Sequence, residues 1–193
     1  MREAHDVAVV GAGPAGLAAA VEAAAAGLDV ALIDSAGQPG GQFWRHYDER
    51  YERPADSAGH HGWPVFTRLR DRLRDLRATG RVRYLPGHQV WLATRDDDGT
   101  FTLRTTPTVD EGPGTTVTAR ALILCTGGYD RQLPVPGWDL PGVMAAGGVQ
   151  ALLKGQRTLA GRRAVVAGTG PFLLPVATGL AAAGATVAAV AEA

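Results

Sequence analysis

Residues 6–34, "DVAVVGAGPAGLAAAVEAAAAGLDVALID", constrain the fold more than any other part of the chain. A β-branched run is followed by a glycine-rich turn and by an alanine-rich stretch between Pro14 and Gly27, and a second apolar run ends at Asp34. Proline favours the first turn of a helix, and glycine favours its C-terminal end. The pattern therefore predicts a strand, a helix and a second, parallel strand joined by a right-handed crossover.

The turn before the helix carries three glycines, Gly11, Gly13 and Gly16, in the spacing GxGxxG. The first glycine permits a tight turn, the second lets a pyrophosphate approach the backbone, and the third allows the helix to pack closely on the strand. The phosphates meet N–H groups and the positive end of the helix dipole. Asp34 lies near the offset of about 20 residues at which a carboxylate accepts hydrogen bonds from ribose hydroxyls. The motif predicts a dinucleotide site. The alternative is a glycine turn that only packs a βαβ unit.

The middle of the chain predicts a long loop over residues 35–62, a helix from Pro64 to Thr79, and a group of short strands. Three segments, "QVWLATR", "TFTLRT" and "TTVTA", predict a small antiparallel β-meander inserted into the fold. "ALILC", which ends at Cys125, predicts a separate buried strand that returns to the parallel sheet. The proline-rich segment "LPVPGWDLPG" that follows is the predicted domain boundary.

A second glycine turn lies in "AVVAGTGPFLLPVATG", near the C-terminal end of the sequence. Gly168 and Gly170 match the first two glycines of the motif, but Leu173 occupies the position of the third. Glu192 ends the next apolar run, in the ribose-binding position. A leucine at the third position should hold the helix away from the strand or force a different packing. The segment predicts the start of a second Rossmann-like unit in which binding of a nicotinamide dinucleotide is disfavoured.

Charge and composition argue against several classes of protein. The 193 residues contain 19 Lys and Arg and 19 Asp and Glu, so the net charge gives no attraction to nucleic acid. The arginine-rich segment 68–83 is interpreted as a solvated helix face. The single cysteine, Cys125, excludes a disulfide or a CxxC pair within these residues and favours a cytoplasmic location. No apolar run reaches the ~20 residues of a membrane span, and His60 and His61 lack further ligands at metal spacing, so no metal site is expected.

Three motifs together resemble those of the two-dinucleotide-binding flavoproteins, the class that contains thioredoxin reductase and glutathione reductase. They are "GAGPAGLAAA" at the first turn, "GQPGGQFWR" after the acidic residue, and "TARALILCTGG". The resemblance implies an α/β, Rossmann-like FAD-binding fold in which the protein positions FAD and the isoalloxazine carries out the redox chemistry. The FAD-binding residues that it implies are Gly11, Gly13, Pro14, Ala15, Gly16, Asp34, Ser35, Gly41, Gln42, Val90, Thr126 and Gly127.

The sequence is more closely similar to the alpha subunits of multi-subunit amine dehydrogenases, namely opine oxidase, hydrogen cyanide synthase and D-hydroxyproline dehydrogenase. "GGQFWRH", "PVPGWDLPGVMAAGGVQALLKGQ" and "AVVAGTGPFLLPVATGLAAAGA" carry this resemblance, which spans essentially the whole chain. It implies a partner beta subunit that contains an amine-oxidising flavin, and an amine or imino acid as the substrate of the complex. The alpha subunit would pass electrons onward, and no catalytic residue is assigned in it.

Departures from the wider class shape the expected domain organisation. The CxxC of the thioredoxin reductase type is missing, and so is the later Gly-Asp segment that completes the FAD domain of that class. We therefore expect residues 1–143 to be the N-terminal segment of an FAD-binding domain. Residues 144–193 should be the truncated beginning of a second, NAD(P)-type domain, with Gly168, Gly170 and Glu192 as its nucleotide site, and the chain should be inactive alone. Two alternatives remain open: a stand-alone NAD(P)H-dependent flavin reductase, and a non-catalytic adenine-nucleotide-binding subunit or inactive fragment.

Overall fold

The computed structural model describes residues 4–51, 60–108 and 112–192, so residues 52–59 of the predicted loop lie outside the described part. The elements within these ranges are β1 His5–Val10, α1 Pro14–Ala25, β2 Val30–Ile33, α2 Trp63–Ala78, β3 Val82–Leu85, β4 His88–Arg95, β5 Phe101–Pro107, β6 Thr116–Leu124, α3 Ala146–Gln156, β7 Arg163–Gly168, α4 Leu173–Ala182 and β8 Thr186–Glu192.

Six strands form one mixed sheet in the order β3-β2-β1-β6-β5-β4. β1 pairs in parallel with β2 and with β6, and β2 pairs in parallel with β3. β4 and β5 are antiparallel to each other, and β5 is antiparallel to β6. The α1 crossover between β1 and β2 is the predicted βαβ unit, and the α/β, Rossmann-like fold class is confirmed.

The structure corrects the sequence-based strand assignment at β6. The segments "TTVTA" and "ALILC" predict two separate strands, but Thr116–Leu124 form one continuous strand. Ala119 pairs with His5 of β1 on one side and with Phe101 of β5 on the other. Arg120 interrupts the apolar pattern between the two segments, and its Nη1 donates a hydrogen bond to a carboxylate oxygen of Asp6 at 2.6 Å. The antiparallel meander is therefore continuous with the parallel sheet.

The four-residue strand β3 has no clear signal in the sequence. Its residues, "VRYL", contain an arginine, and the segment is too short to show a clear alternation of apolar and polar side chains. In the structure Val82 is buried, and β3 extends the parallel part of the sheet beyond β2. Tertiary pairing therefore decides the conformation of this segment.

Alternate residues of β1 point to opposite faces of the sheet, as a strand requires. Val7 and Val9 belong to a core cluster that also includes Leu17 of α1 and Phe66 of α2. Ala8, between the two valines, belongs to a second cluster formed by strand residues only: Ala31, Ile33, Leu103, Val117 and Ala119. The first glycine turn is thus held at the end of a strand that is buried on both faces.

β7 and β8 form a separate two-stranded parallel sheet. The apolar face of α4 packs on it through Leu173, Val176 and Leu180, which share a core cluster with Val166 of β7. Partly buried side chains of α3, among them Leu153, complete this cluster. The second βαβ pattern of the sequence therefore forms a strand, a helix and a parallel strand around a small core of its own.

The described residues fall into two compact units. One contains those of Met1–Trp44 and His60–Gly127, and the other contains those of Arg45–Gly59 and Gly128–Ala193. The domain limits expected from the sequence, 1–143 and 144–193, stay a prediction. None of the helices in the described part of the chain has the length and apolar character needed to span a bilayer.

Candidate cofactor site

The first glycine turn lies between the ends of β2 and β6 and is hydrogen-bonded to both sides. The N–H of Gly11 donates to the carbonyl oxygen of Ile33 at 2.7 Å, and the N–H of Cys125 donates to that of Val10 at 2.8 Å. Gly11 has a φ of 101°, a conformation that glycine adopts readily. A Cβ at this position would lie 2.2 Å from the carbonyl oxygen of Cys125. Glycine is therefore required here both by the backbone conformation and by the available space.

The start of α1 lies directly on this turn. A Cβ added to Gly16 would lie 1.8 Å from the carbonyl oxygen of Gly11, so the third glycine lets the helix touch the backbone of the first. Pro14 and Ala15 are the first two helical residues, and the helix has no side-chain cap. The first N–H groups of a helix have no partner within it, and they carry its positive dipole end. This end of α1 is suited to bind a phosphate group.

The loop "PGGQ" contacts the glycine turn through backbone atoms. Gly40 N–H donates to the carbonyl oxygen of Ala12 at 2.8 Å. Gly41 has a φ of 59°, and a Cβ there would lie 2.8 Å from the Cα of Gly13. Gln42 follows and is exposed. Two of the predicted FAD-binding segments therefore meet at Gly13, where neither presents a side chain.

Trp44 anchors the other end of this loop. Its indole N–H donates to the carbonyl oxygen of His61 at 2.9 Å, and its ring lies 5.4 Å from that of Phe66. Trp44 is 5% exposed, so it belongs to the core. From the sequence, no role is predicted for Gly40, and Trp44 fits equally an anchor for the loop and a contact with a ligand or partner. The doubled glycine of "PGGQ" is the signal by which Gly40 could have been found.

The carboxylate of Asp34 is buried and held by two backbone amides. Ala12 N–H donates to one oxygen, and Ala36 N–H donates to the other at 2.6 Å. Burial raises the pKa of Asp34, and the two amide hydrogen bonds oppose this increase. The hydrogen bond to Ala12 ties the end of β2 to the glycine turn. A carboxylate has about four acceptor positions, so capacity for further donors remains after these two bonds.

The remaining predicted FAD-binding residues are Thr126, Gly127, Ser35 and Val90. Thr126 and Gly127 follow directly after Cys125, which touches the turn, and both are exposed. The carbonyl oxygen of Ser35 accepts a hydrogen bond from the hydroxyl of Thr108 at 2.8 Å. Val90 is half-buried on β4, beside a β-bulge, and packs on the strand-only core cluster. The direct backbone contacts therefore unite the turn, the "PGGQ" loop, Asp34 and the end of β6.

The second glycine turn has a different geometry. Gly170 N–H donates to a carboxylate oxygen of Glu192 at 3.2 Å. Leu173 begins α4, and its Cδ2 lies 3.2 Å from the position of a Cβ at Gly168. An open pocket of about 410 Å³ lies beside the turn, lined by Gly170, Pro171, Leu173, Leu174, Val190 and Glu192. The residues predicted for a second nucleotide site are thus close together, but a leucine covers the first glycine.

The sequence and the fold are similar to those of known proteins. Residues 5–193 match the family model described as pyridine nucleotide-disulphide oxidoreductase. An opine oxidase subunit of Agrobacterium tumefaciens (strain Ach5) is 36% identical over 181 residues, which are 93% of this chain and 35% of that protein. The hydrogen cyanide synthase subunit HcnB of Pseudomonas aeruginosa is 34% identical over 196 residues, covering 96% of this chain and 38% of that protein.

The solved structure of L-proline dehydrogenase from P. horikoshii matches 98% of this chain and 35% of that chain, with a TM-score of 0.70 and 23% identity. At this level of identity the match shows a shared fold. The chain spans about a third of the length of these opine oxidase and hydrogen cyanide synthase subunits. The predicted resemblance to the opine oxidase and hydrogen cyanide synthase subunits is confirmed, as is FAD as the cofactor. The chain belongs to the pyridine nucleotide-disulphide oxidoreductase family, a family of FAD-dependent oxidoreductases.

Proposed function

We propose that this chain is the FAD-binding part of an alpha-type subunit in an amine or imino-acid dehydrogenase complex, in which bound flavin passes electrons onward. Two relatives that are at least 34% identical over more than nine tenths of the chain are named as subunits of opine oxidase and of hydrogen cyanide synthase. The partner in this proposal is a beta subunit with a flavin of its own. It would take electrons from the amine or imino acid.

The convergence of three chain segments on the first glycine turn is the observation that carries the proposal. Gly13 faces the backbone of Gly41 across a distance that leaves no room for a Cβ on the loop side. Gly11 touches the carbonyl group of Cys125 in the same way. Backbone without side chains, next to the open end of a helix, is what a pyrophosphate requires. This arrangement fits the dinucleotide part of FAD.

Each segment has a distinct binding role in the proposal. The first N–H groups of α1, from Ala15 onward because Pro14 has none, would donate to the pyrophosphate. Asp34 would accept hydrogen bonds from the adenosine ribose, because the Ala12 and Ala36 amides fix the orientation of its carboxylate. Gly41 would lie along the flavin side of the site. FAD itself supplies the redox chemistry, so these residues bind and orient it.

The proposal is tested by isolating the protein under native conditions and analysing what accompanies it. We expect FAD, with absorbance near ~450 nm, and a second, flavin-containing subunit. The complex should reduce an artificial electron acceptor when an amine or imino acid is added, with proline, hydroxyproline, glycine and an opine as the compounds to try. Removal of the second subunit should abolish this activity without releasing FAD from the present chain.

Two other results would contradict the proposal. Reduction of the bound flavin by NADH or NADPH in the isolated chain, with no partner needed, would identify a stand-alone flavin reductase. A colourless protein that retains an adenine nucleotide but does not bind added FAD would identify a non-catalytic nucleotide-binding subunit. Both results can be read from the absorbance spectrum and from nucleotide analysis of the purified protein.

A further inference from the structure

The two glycine turns of the chain differ at the start of their helices. In the first, α1 begins at Pro14, directly after the second glycine. In the second, α4 begins at Leu173, although a proline, Pro171, follows the second glycine in the same way. Residues 171–172 form a turn in place of the first helical residues. The helix end that would bind a pyrophosphate is therefore displaced along the chain in the second turn.

Three backbone N–H groups at the second turn and the start of α4 already have partners. Gly170 donates to the carboxylate of Glu192 at 3.2 Å. Leu173 donates to the carbonyl oxygen of Gly170 at 3.4 Å, and Leu174 donates to that of Pro171 at 3.2 Å. Pro171 has no N–H group. These donors would have to leave their internal acceptors before they could bind a phosphate.

The side chain of Leu173 closes the space over the first glycine. Its Cδ2 lies 3.2 Å from the position of a Cβ on Gly168, and the residue is 8% exposed. It packs in the core cluster with Val166, Val176 and Leu180. A helix could pack on Gly168 as closely as α1 packs on Gly11 only if this leucine left the core of its own unit.

The negative charge beside the second turn also disfavours phosphate binding. Among the described residues that line the pocket, the charged one is Glu192. Its carboxylate is bonded to the amide of the second glycine, where a phosphate oxygen would need to be. A phosphate beside this carboxylate would be repelled, because both groups are negatively charged. An additional 2′-phosphate, as in NADPH, would meet the same carboxylate.

We infer that the second glycine turn is closed to the pyrophosphate of a nicotinamide dinucleotide by Leu173 and Glu192, although the family to which the chain belongs is named after pyridine nucleotides. This inference concerns the second turn alone and does not depend on the proposed function. The first turn differs at its third residue, Gly16, and in the start of its helix directly after Gly13. Its carboxylate, Asp34, bonds to the amide of Ala12 and leaves the amide of the second glycine to a ligand. Electrons would then leave the flavin for an acceptor other than a pyridine nucleotide held at this turn.

The test measures binding to the FAD-loaded protein, so that the first turn is occupied. NADH, NADPH and ADP-ribose, which contains the pyrophosphate and the adenosine, are titrated separately by calorimetry. We expect no saturable binding up to about 1 mM, which corresponds to a binding free energy weaker than about −4.1 kcal/mol. A dissociation constant below about 1 mM for any of the three compounds would overturn the inference. Failure of the proposed function would appear separately, as loss of FAD binding or of the partner.

Substitutions at Leu173 and Glu192 test whether these two side chains prevent binding at the second glycine turn. The double variant Leu173→Gly with Glu192→Gln restores the third glycine and removes the negative charge, and it should bind ADP-ribose at least tenfold more tightly than the wild type. The matched control is Leu174→Gly with Glu192→Gln, because Leu174 is the next helical residue and is exposed. The single variant Glu192→Gln leaves the core unchanged. Equal affinity in the double variant and in its control, with FAD retained in both, would overturn the assignment to Leu173.

Discussion

Replacement of Gly13 by alanine should weaken FAD binding while leaving the protein folded. A Cβ at Gly13 would lie 3.9 Å from its nearest neighbour, the Cα of Gly41, which is an ordinary van der Waals distance. The φ of Gly13 is −70°, which alanine adopts without strain. The added methyl group would occupy the space in which the pyrophosphate approaches the backbone. The folded protein tolerates this substitution, whereas the bound state does not.

The expected loss of FAD affinity follows from the hydrogen bonds to the pyrophosphate that Gly13→Ala would remove. A hydrogen bond to a charged group contributes about 1.5–3 kcal/mol, so loss of one such bond weakens FAD binding by about 10- to 150-fold. The cost to the free energy of unfolding is smaller. Alanine is a poorer N-cap residue than glycine, by about 1 kcal/mol or less. That corresponds to a decrease in Tm of about 2–4 °C at most.

Gly16→Ala should behave differently, because its Cβ would lie 1.8 Å from the carbonyl oxygen of Gly11. Either α1 or the turn must move, and overpacking of this kind costs about 1–3 kcal/mol. The Tm of the FAD-free protein should fall by about 2–12 °C. Gly37→Ala is the matched control, since nothing lies within 4 Å of its Cβ position and Gly37 is exposed in the loop that leads to Gly41.

Thermal unfolding of FAD-free protein and fluorescence titration with FAD separate the two effects. Gly13→Ala should lose affinity and keep its Tm within the small decrease given above, Gly16→Ala should lose both, and Gly37→Ala should lose neither. Wild-type affinity in Gly13→Ala would refute the placement of the pyrophosphate at the first turn. Equal Tm values for Gly16→Ala and Gly37→Ala would refute the close contact of α1 with the turn.

Three further predictions address pH, the loop anchor and the core. Burial raises the pKa of Asp34 in the folded protein, so the protein loses stability as pH rises from the ordinary value of 3.8 through the raised pKa. Urea unfolding at several pH values should therefore show the stability of wild type relative to Asp34→Asn decreasing over this interval. The backbone N–H of Thr100 lowers the pKa of Asp98, so the stability of wild type relative to Asp98→Asn should increase as pH rises from that lowered pKa to 3.8. Trp44→Phe removes the hydrogen bond to the carbonyl of His61 and should cost about 1 kcal/mol, seen as a Tm lower by about 2–4 °C. Leu103→Ala, at a fully buried strand position, should lower the free energy of unfolding in urea by about 2–5 kcal/mol, and an unchanged value would contradict its place in the core.

The segments of the candidate site could be predicted because each carries a local signal. The GxGxxG spacing and the acidic residue at the end of β2 lie within one βαβ unit, and the structure joins them through the amide of Ala12. The contact of Gly40 with Ala12 could not be predicted, because it joins a loop to the turn and depends on how the chain folds back. The continuity of strand β6 could not be predicted for a similar reason. Arg120 looks like a break in a strand until Asp6 is placed beside it.

The third residue of the glycine motif determines how closely the helix packs on each of the two turns. Both turns follow a strand, both contain two correctly spaced glycines followed by proline, and both are followed by a carboxylate that bonds to an amide of the turn. At the third position, Gly16 allows the helix to touch the backbone of Gly11 and to start beside it. A leucine at that position carries an apolar side chain that must be buried, and the side chain of Leu173 packs in the core over Gly168. This side chain lies where a closely packed helix would contact Gly168, so the leucine that keeps the helix from the turn also supplies part of the core of the second unit. A glycine at 173 should therefore lower the stability of that unit even where it opens the turn.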